Sequence, residues 1–225
     1  MDFVNSKDLY KLETKKTKIV SNMKNEENRI IFVAREIFFK NGFHKTSMDE
    51  IAKELKISKK TIYKYFKTKE ELITRIQKDF ESQNKEGLNK IISSDENTIL
   101  KLRKLANFIS DIYLKIGVKW ANDLKVYYPE IWENIEKRRQ ENITSTFGKI
   151  LVQGKKENFI VDKPNEIIVQ TFTSGLTGVV NPEFLIKNNF SASEAFNIVF
   201  DILISGILTK KGRKLYKSTK KREKK

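Results

Sequence analysis

The chain has 225 residues, 39% of them apolar and 11% aromatic, with nine glycines, three prolines and no cysteine, which suits one or two globular domains and predicts an all-helical fold. Its formal net charge of +16 is unevenly spread: residues 1–85 hold 20 basic against 13 acidic residues, 86–208 hold 15 of each, and 209–225 hold ten against one. One histidine and no cysteine leave the usual nucleophile–base pairs and soft-metal sites without their parts, no carboxylate pair shares an apolar face, and no phosphate-binding glycine loop occurs, so the sequence argues against an enzyme, a cofactor and a metal.

Residues 1–24 are polar and lysine-rich without a helical stripe and read as a flexible basic arm. Two readings stay open for them: a true extension that adds phosphate contacts, or a start nearer Met23. The first predicted helix covers residues 26–40, with Ile30, Ile31, Phe32, Val33, Ala34, Ile37 and Phe38 on a broad apolar face. Asn41-Gly42 stops it, with Gly42 free to take a positive-φ cap.

Residues 46–71 organise the rest. Thr46 with Asp49 is expected to start a short helix carrying Met48, Ile51, Ala52 and Leu55. Lys56 falls in the turn, and a non-glycine residue there predicts a slightly strained or altered geometry. Ser58 opens a second short helix with Ile62 and Phe66 inward and Lys59, Lys60, Thr61, Tyr63, Lys64 and Tyr65 outward. Positive charge and hydroxyls on one short helix can meet both phosphates and base edges in a major groove, so this is a helix-turn-helix with the second helix as reader. Thr68 with Glu71 then caps a longer connecting helix that continues toward Lys85, and Gly87 and Ser93-Ser94-Asp95 punctuate the chain.

Beyond it, apolar residues from Ile99 to Ile116 predict a long helix ending near Gly117, and residues 118–127 a short one. Pro129 starts a helix running to Gly154, Asp162 with Pro164 starts another that Asn181-Pro182 ends, and Ser191 with Glu194 caps the last, up to Ile207. From Thr209 the tail is basic, low in complexity and expected to be disordered. The longest uncharged run, residues 167–182, is shorter than the roughly 20 apolar residues of a span, and the N-terminus lacks the apolar segment of a signal peptide. A cytoplasmic protein with no membrane partner is expected, and the absence of cysteine fits a reducing compartment.

The stretch IAKELKISKKTIYKYFKTKEEL, preceded by NRIIFVAREIFFKNGFHKTSM, resembles the DNA-binding domain of TetR-family transcriptional regulators over residues 28–80. The remainder resembles that family in helical architecture only. The resemblance implies a three-helix DNA-binding domain within residues 25–85, and a larger helical ligand-binding and dimerisation domain over 86–208. It further implies a homodimer through the last two helices, a pseudo-palindromic double-stranded DNA operator and release by a small hydrophobic or aromatic effector. Thr46, Ser58, Lys59, Lys60, Thr61, Tyr63, Lys64, Tyr65 and Lys69 are the expected DNA contacts. Lys60 takes a base-reading position where many relatives have a small residue, Tyr63, Lys64 and Tyr65 take phosphate-clamping positions, and Lys69 matches a phosphate-binding lysine. Phe108, Tyr113, Trp120, Tyr127, Tyr128 and Phe172 are candidate walls of the effector site, on pocket composition. Two rivals remain: a dimeric DNA-binding protein without an inducer, and a basic helical protein that binds anionic membranes through its tail.

Overall fold

The computed structural model describes residues 25–222, so the expected N-terminal arm lies outside the described residues. Among them are eleven helices and no strand. The chain divides into two compact units between Asp79 and Phe80.

The first unit is built from α1 (Glu26–Asn41), α2 (Met48–Leu55), α3 (Lys59–Tyr65) and the first part of α4 (Lys69–Ile92). Asn25 caps α1 with its side-chain oxygen, and Gly42 ends the helix at φ 80°, its N–H returning to the Phe38 carbonyl at 2.8 Å. Ile30, Ala34, Phe38, Ile51, Ile62, Leu72, Ile73 and Ile76 are sealed from solvent, so α1 and α4 give the two short helices a dry floor. Arg75 ties α4 to α1 through Glu27 at 2.8 Å and bonds Asp79 at 3.0 Å.

The connecting helix runs to Ile92, past the break expected at Gly87. Gly87 is used for space: a Cβ there would lie 2.4 Å from Cζ of Phe108. The helix ends where the Ser94 hydroxyl donates to the Ile91 carbonyl.

The second unit contains α5 (Thr98–Lys115), α6 (Val118–Tyr127), α7 (Pro129–Lys156), α8 (Asn165–Val179), α9 (Pro182–Asn188), α10 (Ala192–Ile207) and α11 (Lys210–Arg222). Its core gathers Ile99, Leu102, Ile150, Leu151, Phe172, Phe196, Phe200 and Ile204 from α5, α7, α8 and α10. Several buried polar groups of the unit are paired: Ser110 and Ser193 share a hydroxyl hydrogen bond of 2.7 Å, and Lys101 donates to the Ile92 carbonyl and to Gln153. Glu157 caps α5 at the Thr98 N–H at 2.8 Å. Burial pushes the Glu157 carboxyl up, but bonds from Gln153 and Thr98 outweigh it and hold the group below the usual carboxylate range.

Two expectations need correction here. Asn181-Pro182 does end α8, but it also starts α9: Asn181 accepts from the Phe184 N–H at 3.0 Å and Pro182 sits in the first turn. The tail from Thr209 is a docked helix through Arg222. Thr209 caps it by accepting from the Gly212 N–H, Gly212 lies so close to the Phe159 carbonyl that a Cβ would sit 2.3 Å from that oxygen, and buried Tyr216 donates to Asp201 at 2.9 Å. Composition alone marks this segment as solvated because its apolar content is low. Its few apolar residues, Leu215 and Tyr216, face inward beside Gly212.

Candidate nucleic-acid interface

The supporting helix α2 starts one residue later than expected. Ser47, not Thr46, is the cap: its Oγ accepts from the Glu50 N–H at 3.1 Å while the Glu50 carboxylate accepts from the Ser47 N–H at 2.6 Å. The Ser-x-x-Glu spacing at Ser47 and Glu50 carried that signal in the sequence. Thr46 is 4% exposed, donates its hydroxyl to the Gly42 carbonyl at 2.8 Å and its N–H to the Phe43 carbonyl. Both of its donors are thus committed to the bend before α2, which removes the basis for placing it on a phosphate.

The turn is closed by Lys56 in the left-handed region, φ 57° and ψ 40°, with its N–H shared between the Ala52 and Lys53 carbonyls and the Ile57 N–H returning to Ala52. The unusual geometry expected for a non-glycine residue is present.

Ser58 caps α3, accepting from the Thr61 N–H at 3.0 Å, and the two hydroxyls are 2.8 Å apart. Thr61 is half-buried. These two side chains therefore fix the first turn of the helix. Ile62 is sealed and Phe66 buried, which orients the opposite face outward. Lys59 is exposed but bonded to Asp49 at 2.7 Å, and that hydrogen bond, against a little burial, holds its pKa above the ordinary lysine value. Such an exposed pair contributes little, so exchange of the carboxylate for a phosphate costs little.

Lys60, Tyr63, Lys64 and Tyr65 form the remaining outward edge; Tyr63 is 40% exposed and Tyr65 37%. None of the four side chains makes a hydrogen bond or ion pair among the described residues, so two ammonium groups and two phenols are presented together on one short, firmly seated helix. The adjoining start of α4 adds Lys69, whose ammonium lies 6.0 Å from the centre of the Phe38 ring. Thr68 caps that start through the Glu71 N–H at 3.0 Å, while the Glu71 carboxylate accepts from Lys67 rather than from Thr68. A cluster of cations and hydroxyls around a helix of this length is equipped for phosphates and base edges.

The six expected effector walls sit in different packing environments. Phe172 is 2% exposed and packs 4.3 Å from Phe147, in a ring series that continues through Phe200 and Phe196 to Tyr113. Phe108 lies against Gly87, Trp120 is buried, Tyr128 is half-buried at the start of α7, and Tyr127 is 46% exposed. A groove of about 470 Å³ lies elsewhere, between α6 and α9, lined by Asn122, Lys125, Val126, Glu183, Ile186 and Lys187. Periodicity finds aromatic residues that face inward, but it does not distinguish a packed ring from a cavity wall.

Residues 30–76 match the sequence model of the family described as bacterial regulatory proteins, tetR family. The chain is 22% identical over 182 residues to an uncharacterized HTH-type transcriptional regulator, YvaF, of Bacillus subtilis, covering 80% of this chain and 95% of that one. The crystal structure of a TetR-family transcriptional regulator from Marinobacter aquaeolei superposes with a TM-score of 0.70 at 15% identity, over 88% of this chain and 98% of that one. The complex of SmeT with triclosan superposes at 0.57 with 11% identity, over 82% and 92%. SmeT itself is the repressor of a Stenotrophomonas maltophilia multidrug efflux pump. At these identities the likeness of the structures is one of fold.

Proposed function

We propose that the protein, whose residues 30–76 match the tetR-family model, is a homodimeric transcriptional repressor whose α3 reads a pseudo-palindromic operator. The observation that carries the proposal is the outward edge of Lys60, Tyr63, Lys64 and Tyr65 on a helix fixed by the Ser58 cap and by Ile62 beneath it. In the proposed complex Lys60 reads a base edge, Tyr63, Lys64, Tyr65 and Lys69 hold phosphates, and Lys59 leaves Asp49 for the DNA backbone.

The dimer is supported by exposed apolar side chains on the outer faces of α8 and α10. Ile167 on α8 is 64% exposed, and Ile198 and Ile202 on α10 are 48% and 65% exposed. A Cβ on Gly178 or Gly206 would meet nothing within 4 Å. Apolar side chains next to small residues suit close helix packing against a second copy, which would cover surface that water otherwise meets.

Release by a small hydrophobic or aromatic ligand is the regulatory part of the proposal, supported by the fold shared with SmeT, a protein that binds triclosan. Such a ligand must prefer a conformation of α4 that spaces the two readers wrongly. The tight ring series around Phe172 favours a second reading, a dimeric DNA-binding protein without an inducer.

The test is titration against the DNA upstream of the protein's own gene, with scrambled competitor at fixed salt. Binding that survives competitor and is lost in a folded Tyr63→Ala, Lys69→Ala variant is expected. Equal loss to scrambled DNA removes that site from the account.

A further inference from the structure

We propose that the outer face of α11 is a second, sequence-independent binding site for duplex-DNA phosphates, a statement that rests on the DNA-binding reading above. Lys210, Lys214 and Lys217 are exposed and recur at i, i+4 and i+7, on the side of the helix opposite Gly212, Leu215 and Tyr216. No ion pair reaches these three lysines among the described residues.

The helix is held in a form that its own charges oppose. Its first turn contains Lys210 and Lys211 and no acidic residue, against the sense of the helix dipole. Lysines at i and i+4, such as Lys210 and Lys214, repel each other on a helix surface. What holds the segment is docking: Tyr216 to Asp201 at 2.9 Å, the Arg103 guanidinium 5.6 Å from the Tyr216 ring centre, Lys211 over Phe159 at 4.6 Å, and the close seat of Gly212. The result is a rigid cationic row, which a polyanion would relieve of its self-repulsion.

Its chemistry selects duplex phosphate among polyanions. A bilayer-bound helix needs an apolar face to bury, and here Leu215 and Tyr216 already face the protein core. Seven residues of helix cover roughly 10 Å, and phosphates of one strand recur about every 3.4 Å along a duplex, so three lysines match a run of about three phosphates. Three ammonium groups on flexible stems meet phosphates as point charges, so the row adds affinity and salt dependence rather than sequence preference.

The experiment compares the full chain with a Lys210→Gln, Lys214→Gln, Lys217→Gln variant and a Lys→Arg variant at the same positions. Each is titrated over a range of salt concentrations against a duplex selected by the protein from a random pool, and against a scrambled duplex of equal length. Glutamine retains helix propensity, and circular dichroism verifies the fold. The expected result is a fall of about 0.9 in the slope of log K against log salt for each lysine removed, on both duplexes, with the selected-to-scrambled ratio kept and the slope restored by arginine. An unchanged slope on either duplex overturns the proposal. A Tyr63→Ala variant that keeps the selected-to-scrambled ratio would instead contradict α3 as the reader, whatever the slope of the lysine variant.

Discussion

Gly87 in the last third of α4 and Phe108 in α5 meet so closely that any Cβ at residue 87 would stand 2.4 Å from the tip of the ring. Glycine in a helix interior costs about 1 kcal/mol relative to alanine, so this position trades helix propensity for a seat for the ring. Gly87→Ala is expected to lower stability by about 1 kcal/mol, because an overpacking cost of roughly 1–3 kcal/mol exceeds the propensity gain. With Phe108→Ala already in place, the same change should stabilise by up to about 1 kcal/mol. A double-mutant cycle in urea reads the difference, and simple additivity would remove the contact from the account.

The helix-turn-helix contains a second local compromise. Lys56 takes the left-handed conformation that glycine adopts without steric cost. Lys56→Gly should therefore gain about 0.5–1 kcal/mol in the first unit, the relief of the Cβ clash exceeding the extra entropy of the unfolded chain, whereas Lys56→Ala should leave stability nearly unchanged. Chemical denaturation of the two variants side by side checks this, and equal stabilities would show that the turn is not strained.

Tyr216 supplies the pH signature of α11. Burial first, and then its bond to Asp201, raise the phenol well above the ordinary tyrosine value. A raised acid contributes stability that is complete below its unfolded pKa, about 10, and is lost as pH rises beyond it. Wild type should lose stability relative to Tyr216→Phe between about pH 10 and 11, while at neutral pH the Phe variant should be less stable by about 1–2 kcal/mol through loss of a hydrogen bond to a carboxylate. Parallel pH curves for the two proteins would mean that the phenol does not hold the helix.

The exposed isoleucines of α10 bear on assembly. Ile202→Glu is expected to shift sedimentation from dimer to monomer, since an unpaired carboxylate would be buried at the centre of the proposed interface. The same substitution on a monomer's outer surface should change stability by less than about 0.5 kcal/mol. A wild-type protein that sediments as a monomer at micromolar concentration would sink the dimer.

What was legible in the sequence was whatever local chemistry dictates. Asn41-Gly42, Ser58, Pro129 and Ser191 mark real helix ends because caps act through neighbouring atoms. The outward edge of α3 followed from the burial of Ile62 and Phe66. Long-range packing was not legible. Gly87 reads as a break until Phe108 is known to fill the space beside it, and the tail reads as solvated until Tyr216 finds Asp201 fifteen residues away. Thr46 and Ser47 show the middle case. Both are plausible caps, and the choice depended on which hydroxyl the bend at Gly42 would take.

The most direct test of the central claim is selection by the purified full-length protein from a pool of random duplexes, followed by sequencing. A dimer that reads with two copies of α3 predicts enrichment of two inverted half-sites spaced by about one helical turn or a multiple of it, and loss of that enrichment in a Tyr63→Ala, Lys60→Ala variant. Recovery of a pool no different from the input, or of the same sites by the variant, would contradict α3 as the reader of an operator.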